Sequence, residues 1–312
     1  QLPLAILFQS ATIEHLAALL RSDTDVDSWS HLVPMQTSGS QPPLFCVPGA
    51  GGNVIGFYGL ARRLDVDRPI YGLQARGLDG ESAPHTSVAE MAADYIAAMR
   101  TVQPEGPYYV CGYSFGSWVA FEITQQLQRQ GQEVALLAIL NTPTPMVMSD
   151  DPAYRTQPRS TAHDEITTIL AVARSLERTF GVDLALTRDR LEPLSADEQI
   201  TLLAEQLKQA NILPAEAKTR HVRGFVNVFK TNYDITYVPE DWQPTRIVLF
   251  RASERLAEDD DVPLILRDDP AWGWNQFAAA PVDVHFVPGE HLTILTEPHV
   301  QTLVAELGRY LR

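Results

Sequence analysis

One short segment restricts the fold of this chain more than any other. The apolar run Tyr108-Tyr109-Val110-Cys111 passes directly into Gly112-Tyr113-Ser114-Phe115-Gly116, and a helical pattern carrying Val119, Phe121, Ile123 and Leu127 follows at once. Strand, sharp turn and helix in that order place a serine at a strained elbow with its hydroxyl exposed. Glycines two residues either side let strand and helix approach closely. A bare GxSxG motif is common by chance, so the strand–turn–helix context is what gives this one its weight.

The rest of the chain suits that elbow. Short apolar runs at 44–47, 70–73, 108–111, 134–140, 247–250 and 284–287 alternate with amphipathic stretches such as Val88, Met91, Ala92, Tyr95, Ile96 and Met99. Strands alternating with helices predict a doubly wound, mostly parallel sheet covered on both faces. The alternation breaks from about 146 to 244. Three helical patterns follow one another there, carrying Ile166, Ile169, Ala173, Leu176 and Phe180, then Ile200, Leu203 and Leu207, then Val222, Phe225, Val226, Phe229 and Tyr233. This reads as a helical insertion, either ordinary core packing or a lid whose apolar face lines a channel.

At the front, residues 1–22 predict one short helix, with Ser10 and Thr12 placed to cap it. Residues 23–41 have the polar, Gly- and Pro-containing composition of a linker, which puts a domain boundary near 42. A length of 312 residues suits one large α/β core, or one domain plus a fragment of another, with a single dominant domain the default. The formal net charge of −15, with no block of Lys or Arg, argues against nucleic acid or an anionic membrane surface as partner. No apolar run approaches membrane-spanning length, so a cytoplasmic setting is expected. Cys46 and Cys111 lie inside apolar runs and read as buried core.

A serine hydroxyl needs a base within reach, and on an α/β-hydrolase sheet the histidine comes last in the chain. Of the three late histidines, His291 alone falls in a loop between a strand and the last helix. His285 alternates with apolar neighbours and reads as packed, and His299 reads as an exposed first-turn residue. The oxyanion formed on attack needs backbone N–H donors in place. Phe115 supplies one, and Gly49 or Ala50, in the glycine-rich turn Pro48-Gly49-Ala50-Gly51-Gly52, supplies the other. A phosphate-binding role for that turn is disfavoured because the GxGxxG spacing is missing.

VPGAGG, GYSFG, LFRASE and VPGEHLTIL together resemble the type I thioesterase domains that end nonribosomal peptide and polyketide synthases, over residues 42–312. The segment LPLAILFQSATIEHLAALL resembles the last helix of an acyl or peptidyl carrier domain. The resemblance implies an α/β-hydrolase fold with a lid. It implies an upstream carrier domain as partner, which presents a small acyl or peptidyl chain on its 4′-phosphopantetheine arm; no cofactor or metal is bound by the domain itself. Transfer of the chain to Ser114 would be followed by hydrolysis or cyclisation. The family's acid follows the strand after the nucleophile helix, and here that place holds Asn141. Asn141 itself, Glu254 after LFRAS, or one of Asp259, Asp260 and Asp261 could orient His291, and the sequence leaves the three open. Two other functions also stay open: a free-standing serine esterase or lipase, and a catalytically weak docking module.

Overall fold

The computed structural model describes residues 30–145, 164–239, 242–254 and 266–312. The carrier-like helix expected at 1–22, the first part of the expected linker, 23–29, and Asp259 to Asp261 lie outside the described residues.

Seven strands form one sheet: β1 (Leu32–Gln36), β2 (Leu44–Val47), β3 (Ile70–Leu73), β4 (Tyr108–Tyr113), β5 (Val134–Leu140), β6 (Ile247–Ala252) and β7 (Asp283–Val287). Their order is β1-β3-β2-β4-β5-β6-β7. All neighbours pair parallel except β1, which runs antiparallel to β3. Central strands of a parallel sheet are covered on both faces and so read as unbroken apolar runs. β2 and β6 are buried at every position, and β5 at all but one.

The helices on the two faces are α1 (Tyr58–Arg63), α2 (Val88–Arg100), α3 (Phe115–Arg129) and, at the end of the chain, the last helix Val300–Leu311. The buried positions of α2 are Val88, Met91, Ala92, Tyr95, Ile96 and Met99, the stripe expected from their spacing. Ser87 caps this helix, its hydroxyl accepting the Glu90 N–H at 3.1 Å. A short irregular stretch separates the glycine-rich turn from the first helix. Asn53 Oδ1 accepts the Ile55 N–H, a 3-10 turn spans Ile55–Phe57, and α1 begins only at Tyr58.

The edge strand β1 corrects the linker reading of 23–41. Val33 is 1% exposed, Leu32 pairs with Leu73, and Gln36 Nε2 donates to the Arg68 carbonyl. Pro34 sits within the strand, where it interrupts the apolar pattern; an edge strand accepts it because one row of its backbone groups needs no partner. The folded unit therefore includes residues well before 42.

The insertion carries α4 (Glu165–Phe180), the one-turn α5 (Arg188–Leu191), α6 (Ala196–Gln209) and α7 (Thr219–Asp234), with the final helix then α8 (Val300–Leu311). These four helices build a core of their own from Ile169, Val172, Leu191, Leu203, Leu207 and Val226. One face thus closes the helical unit and another meets the glycine-rich turn after β2. α7 makes that second contact, since a Cβ added at Gly51 would come within 2.8 Å of the Phe225 ring. Phe180, expected in the apolar stripe, is instead 43% exposed at the last turn of α4.

Candidate active site

The parallel strands all end on one side of the sheet. The chain order reverses between β2 and β4, a switch point of the kind where α/β sheets bind ligands. Four loops meet at this edge. Ser114 follows β4, the Gly49 turn follows β2, Asn141 follows β5, and His291 lies in the loop after β7.

Ser114 adopts φ 52°, ψ −133° at the N-cap of α3, a conformation costly for any residue with a Cβ. The surroundings hold it there. The Ser114 N–H donates to the Leu140 carbonyl at 3.1 Å, and the Thr142 hydroxyl donates to the Ser114 carbonyl at 3.0 Å. The Ser117 hydroxyl ties back to the Gly112 carbonyl at 2.8 Å. Both flanking glycines are sterically required: a Cβ on Gly112 would lie 2.5 Å from the Gly116 carbonyl oxygen, and one on Gly116 would overlap the carbonyls of Val47 and Pro48. Standing at the helix N-terminus, the serine faces unpaired N–H groups and the positive end of the helix dipole.

His291 Nε2 stands 3.0 Å from Ser114 Oγ, and Asn141 Nδ2 stands 2.9 Å from His291 Nδ1. The structure thus brings together Ser114, His291 and Asn141. Glu254 is left at the surface, and its backbone N–H joins the histidine loop through the Gly289 carbonyl at 2.9 Å. Asn141 itself is 8% exposed, takes φ 52°, and accepts the Ala252 N–H on Oδ1 at 2.7 Å.

The turn expected to complete an oxyanion hole lies against the serine, since a Cβ on Gly49 would come 3.2 Å from Ser114 Cβ. The Gly49 carbonyl accepts the Gly52 N–H at 2.9 Å, and in a trans peptide this points the Ala50 N–H to the opposite side, away from the turn. The Ala50 carbonyl is held in turn by Asn232 Nδ2 of α7 at 2.9 Å.

The other two late histidines are engaged elsewhere. His285 stacks on Phe250 with its Nε2 2.7 Å from the Tyr310 hydroxyl, as a packed residue would. His299 is not an exposed first-turn residue. Its ring presses on Gly289, and its Nδ1 is buried without a hydrogen-bond partner.

Sequence reasoning missed the residues that hold the histidine loop. The Tyr113 hydroxyl donates to the His291 carbonyl at 2.6 Å, and its ring stacks on the imidazole at 5.3 Å and 24°. Arg178 of α4 donates to Glu290 Oε1 at 2.6 Å, so a helix of the insertion grips the residue next to the histidine. The aromatic in GYSFG and the acid in VPGEH were the only local hints of either contact.

A profile of the thioesterase domain family matches residues 42–310. The chain belongs to the thioesterase domain family. The thioesterase is 28% identical over 314 residues to the nonribosomal peptide synthetase pngA of Aspergillus terreus, a match covering 96% of this chain and 31% of that protein. It is 46% identical over 144 residues to malpinin synthetase of Mortierella alpina, covering 46% of the chain and 2% of the relative. The chain thus spans less than a third of the length of either curated relative. Among solved structures it is similar to the Vlm2 thioesterase domain, with 26% identity, a TM-score of 0.64 and coverage of 89% of this chain and 96% of that one. It is also similar to part of holo-AB3403, a four-domain nonribosomal peptide synthetase, with 26% identity, a TM-score of 0.78 and coverage of 99% and 22%. The fold is that of the α/β-hydrolase thioesterases. Among the described residues, no helix of this thioesterase is long and apolar enough to cross a membrane.

Proposed function

We propose that this domain releases an acyl or peptidyl chain from the 4′-phosphopantetheine thiol of a carrier domain by way of an ester on Ser114. The observation that carries the reading is the 3.0 Å approach of His291 Nε2 to a serine hydroxyl held at a strained strand–helix elbow. In this reading the serine oxygen adds to the thioester carbonyl, its proton passes to His291, and the carbonyl oxygen gathers charge beside the Phe115 N–H and the N–H of Ala50 or Gly49. Collapse expels the carrier thiolate, which leaves more readily than an alcohol or amine because thiols have a pKa of about 8.5. A second nucleophile then takes the chain from Ser114.

The relatives are parts of multidomain peptide synthetases, which supports a carrier domain as the partner and a peptide or related acyl chain as the cargo. α7 rests against the Gly49 turn and α4 against the histidine loop, so the insertion is placed to cover that cargo.

The test is mass spectrometry of the intact chain after exposure to a carrier protein loaded with a synthetic acyl thioester. A mass increase confined to Ser114 and lost in Ser114→Ala is expected. Equal or faster reaction with a simple ester would favour a free-standing esterase, and failure of a fluorophosphonate to label Ser114 would favour a docking module.

A further inference from the structure

Asn141 is gripped from two sides, and the two contacts fix what its amide can offer the histidine. Oδ1 accepts the buried Ala252 N–H at 2.7 Å, which leaves Nδ2 as the atom facing His291 Nδ1 at 2.9 Å. Turning the amide over would set its NH2 against the Ala252 N–H, two donors facing each other in a buried place. An amide NH2 only donates, so His291 Nδ1 must accept; a neutral imidazole with its lone pair on Nδ1 carries its proton on Nε2. Nε2 is the nitrogen that faces Ser114 Oγ.

We propose that Asn141, pinned by the Ala252 N–H, holds His291 in the tautomer that donates to Ser114 rather than accepting from it, so that the acyl-enzyme resists water and passes its chain to an amine. This rests on the thioesterase reading above and concerns which nucleophile ends the cycle. Attack by water forms a C–O bond only as the water gives up a proton, and an Nε2 that is already protonated cannot take it. Only the minor tautomer can, with its Nδ1–H forced against the Asn141 NH2.

A neutral amine needs no such help. Its lone pair forms the C–N bond, and the carbonyl pair moves to oxygen and returns as the bond to Oγ breaks. The ammonium proton of the adduct passes to the departing Oγ, restoring the serine hydroxyl and leaving an amide. Throughout, the Nε2–H bond supports the charge on Oγ. Acylation of Ser114 still draws on the minor tautomer, but its thiolate leaves unaided. Asn141 is in this sense a positioning residue, acting on the substrate only through the imidazole.

The experiment loads Ser114 with p-nitrophenyl octanoate and follows the acylated chain by mass spectrometry, with and without hydroxylamine as the amine probe. The wild type is expected to accumulate acyl-Ser114 and to release mainly hydroxamate when hydroxylamine is present. Asn141→Asp should shorten the lifetime of the ester in water by roughly 10³-fold or more, the scale on which a tautomer-setting Asp acts in serine proteases, and should lower the ratio of hydroxamate to acid. Equal hydrolysis by the two proteins, or an unchanged product ratio, overturns the proposal.

Nitrogen-15 NMR of histidine-labelled wild type reads the tautomer without any substitution at Asn141. The His291 signals, identified by their loss in His291→Ala, should show a protonated Nε2 and an unprotonated Nδ1. A protonated Nδ1 overturns the proposal even if Asn141→Asp fails to fold. A Ser114 that resists fluorophosphonate while Nε2 is protonated sinks the thioesterase reading, and release to an amine with it.

Discussion

Tyr113 occupies the variable position of the serine elbow, yet it is the residue that seats the histidine. Its hydroxyl bonds the His291 carbonyl at 2.6 Å and its ring lies under the imidazole. Tyr113→Phe keeps the ring and removes one partly buried hydrogen bond, worth on the order of 1 kcal/mol. The expected result is a roughly fivefold slower reaction of Ser114 with a fluorophosphonate, with thermal stability nearly unchanged; an equal labelling rate would show that the bond does not position the loop. At this scale Ser114 and the flanking glycines were legible because the elbow is local, and His291 because chain order leaves few histidines to choose from. Tyr113 and Ala252 were not. Their contacts run to His291, 178 residues away, and to Asn141, 111 residues away, and no periodicity carries information over such separations.

Two elements couple packing to charge. α4 of the insertion reaches the histidine loop through Arg178 and Glu290, whose carboxylate is only 8% exposed and has its second oxygen buried without a hydrogen bond. Removing the guanidinium strands that carboxylate, so Arg178→Ala should lower stability by about 1 to 2 kcal/mol, less than a fully buried pair would because Arg178 is itself 39% exposed. Glu290→Gln in the same background should recover most of the loss, and denaturant melts that show no recovery would assign the loss to packing instead. α2 carries a second such place. His85, 1% exposed, has its Nε2 2.8 Å from Asp94 Oδ2, and its ring lies 5.6 Å from that of His31. Burial lowers the pKa of His85, helped by the charge of Arg76 and opposed by its bond to Asp94. The unfolded chain therefore binds the proton more readily than the folded one, and the stability His85 contributes is full above about pH 6.5 and is lost as the pH falls toward its folded value. Asp94, its pKa lowered chiefly by the hydrogen bond from His85, loses its own contribution only in more acidic solution. Melting temperatures should fall from pH 7 to pH 5, and the slope should flatten in His85→Gln; an unchanged slope would place the acid sensitivity elsewhere.

At the scale of the whole molecule, the parallel strands were legible because each is buried on both faces and reads as an unbroken apolar run, and the insertion because its apolar spacing changes period. The edge strand was not, for the opposite reason: β1 is fully buried only at Val33, contains Pro34 and is flanked by polar residues, so only its pairing with β3 defines it. That pairing is extensive. Beyond the ladder, His31 Nδ1 lies 3.0 Å from the Gln74 carbonyl, the Gln74 N–H donates to the His31 carbonyl at 2.8 Å, and Val33 is buried. A chain cut at the apparent boundary, beginning at Gln41, would leave the outer edge of β3 with unpaired backbone groups, a template for association with another chain. It would also lose the burial of Val33, alone worth about 1.5 to 3 kcal/mol. A chain beginning at Ser30 keeps all of these contacts. The shorter form should therefore melt at a distinctly lower temperature than the form beginning at Ser30 and elute partly as oligomer in size-exclusion chromatography. Identical melting and elution of the two truncations would mean that β1 adds nothing to the sheet and that the domain does begin near residue 42.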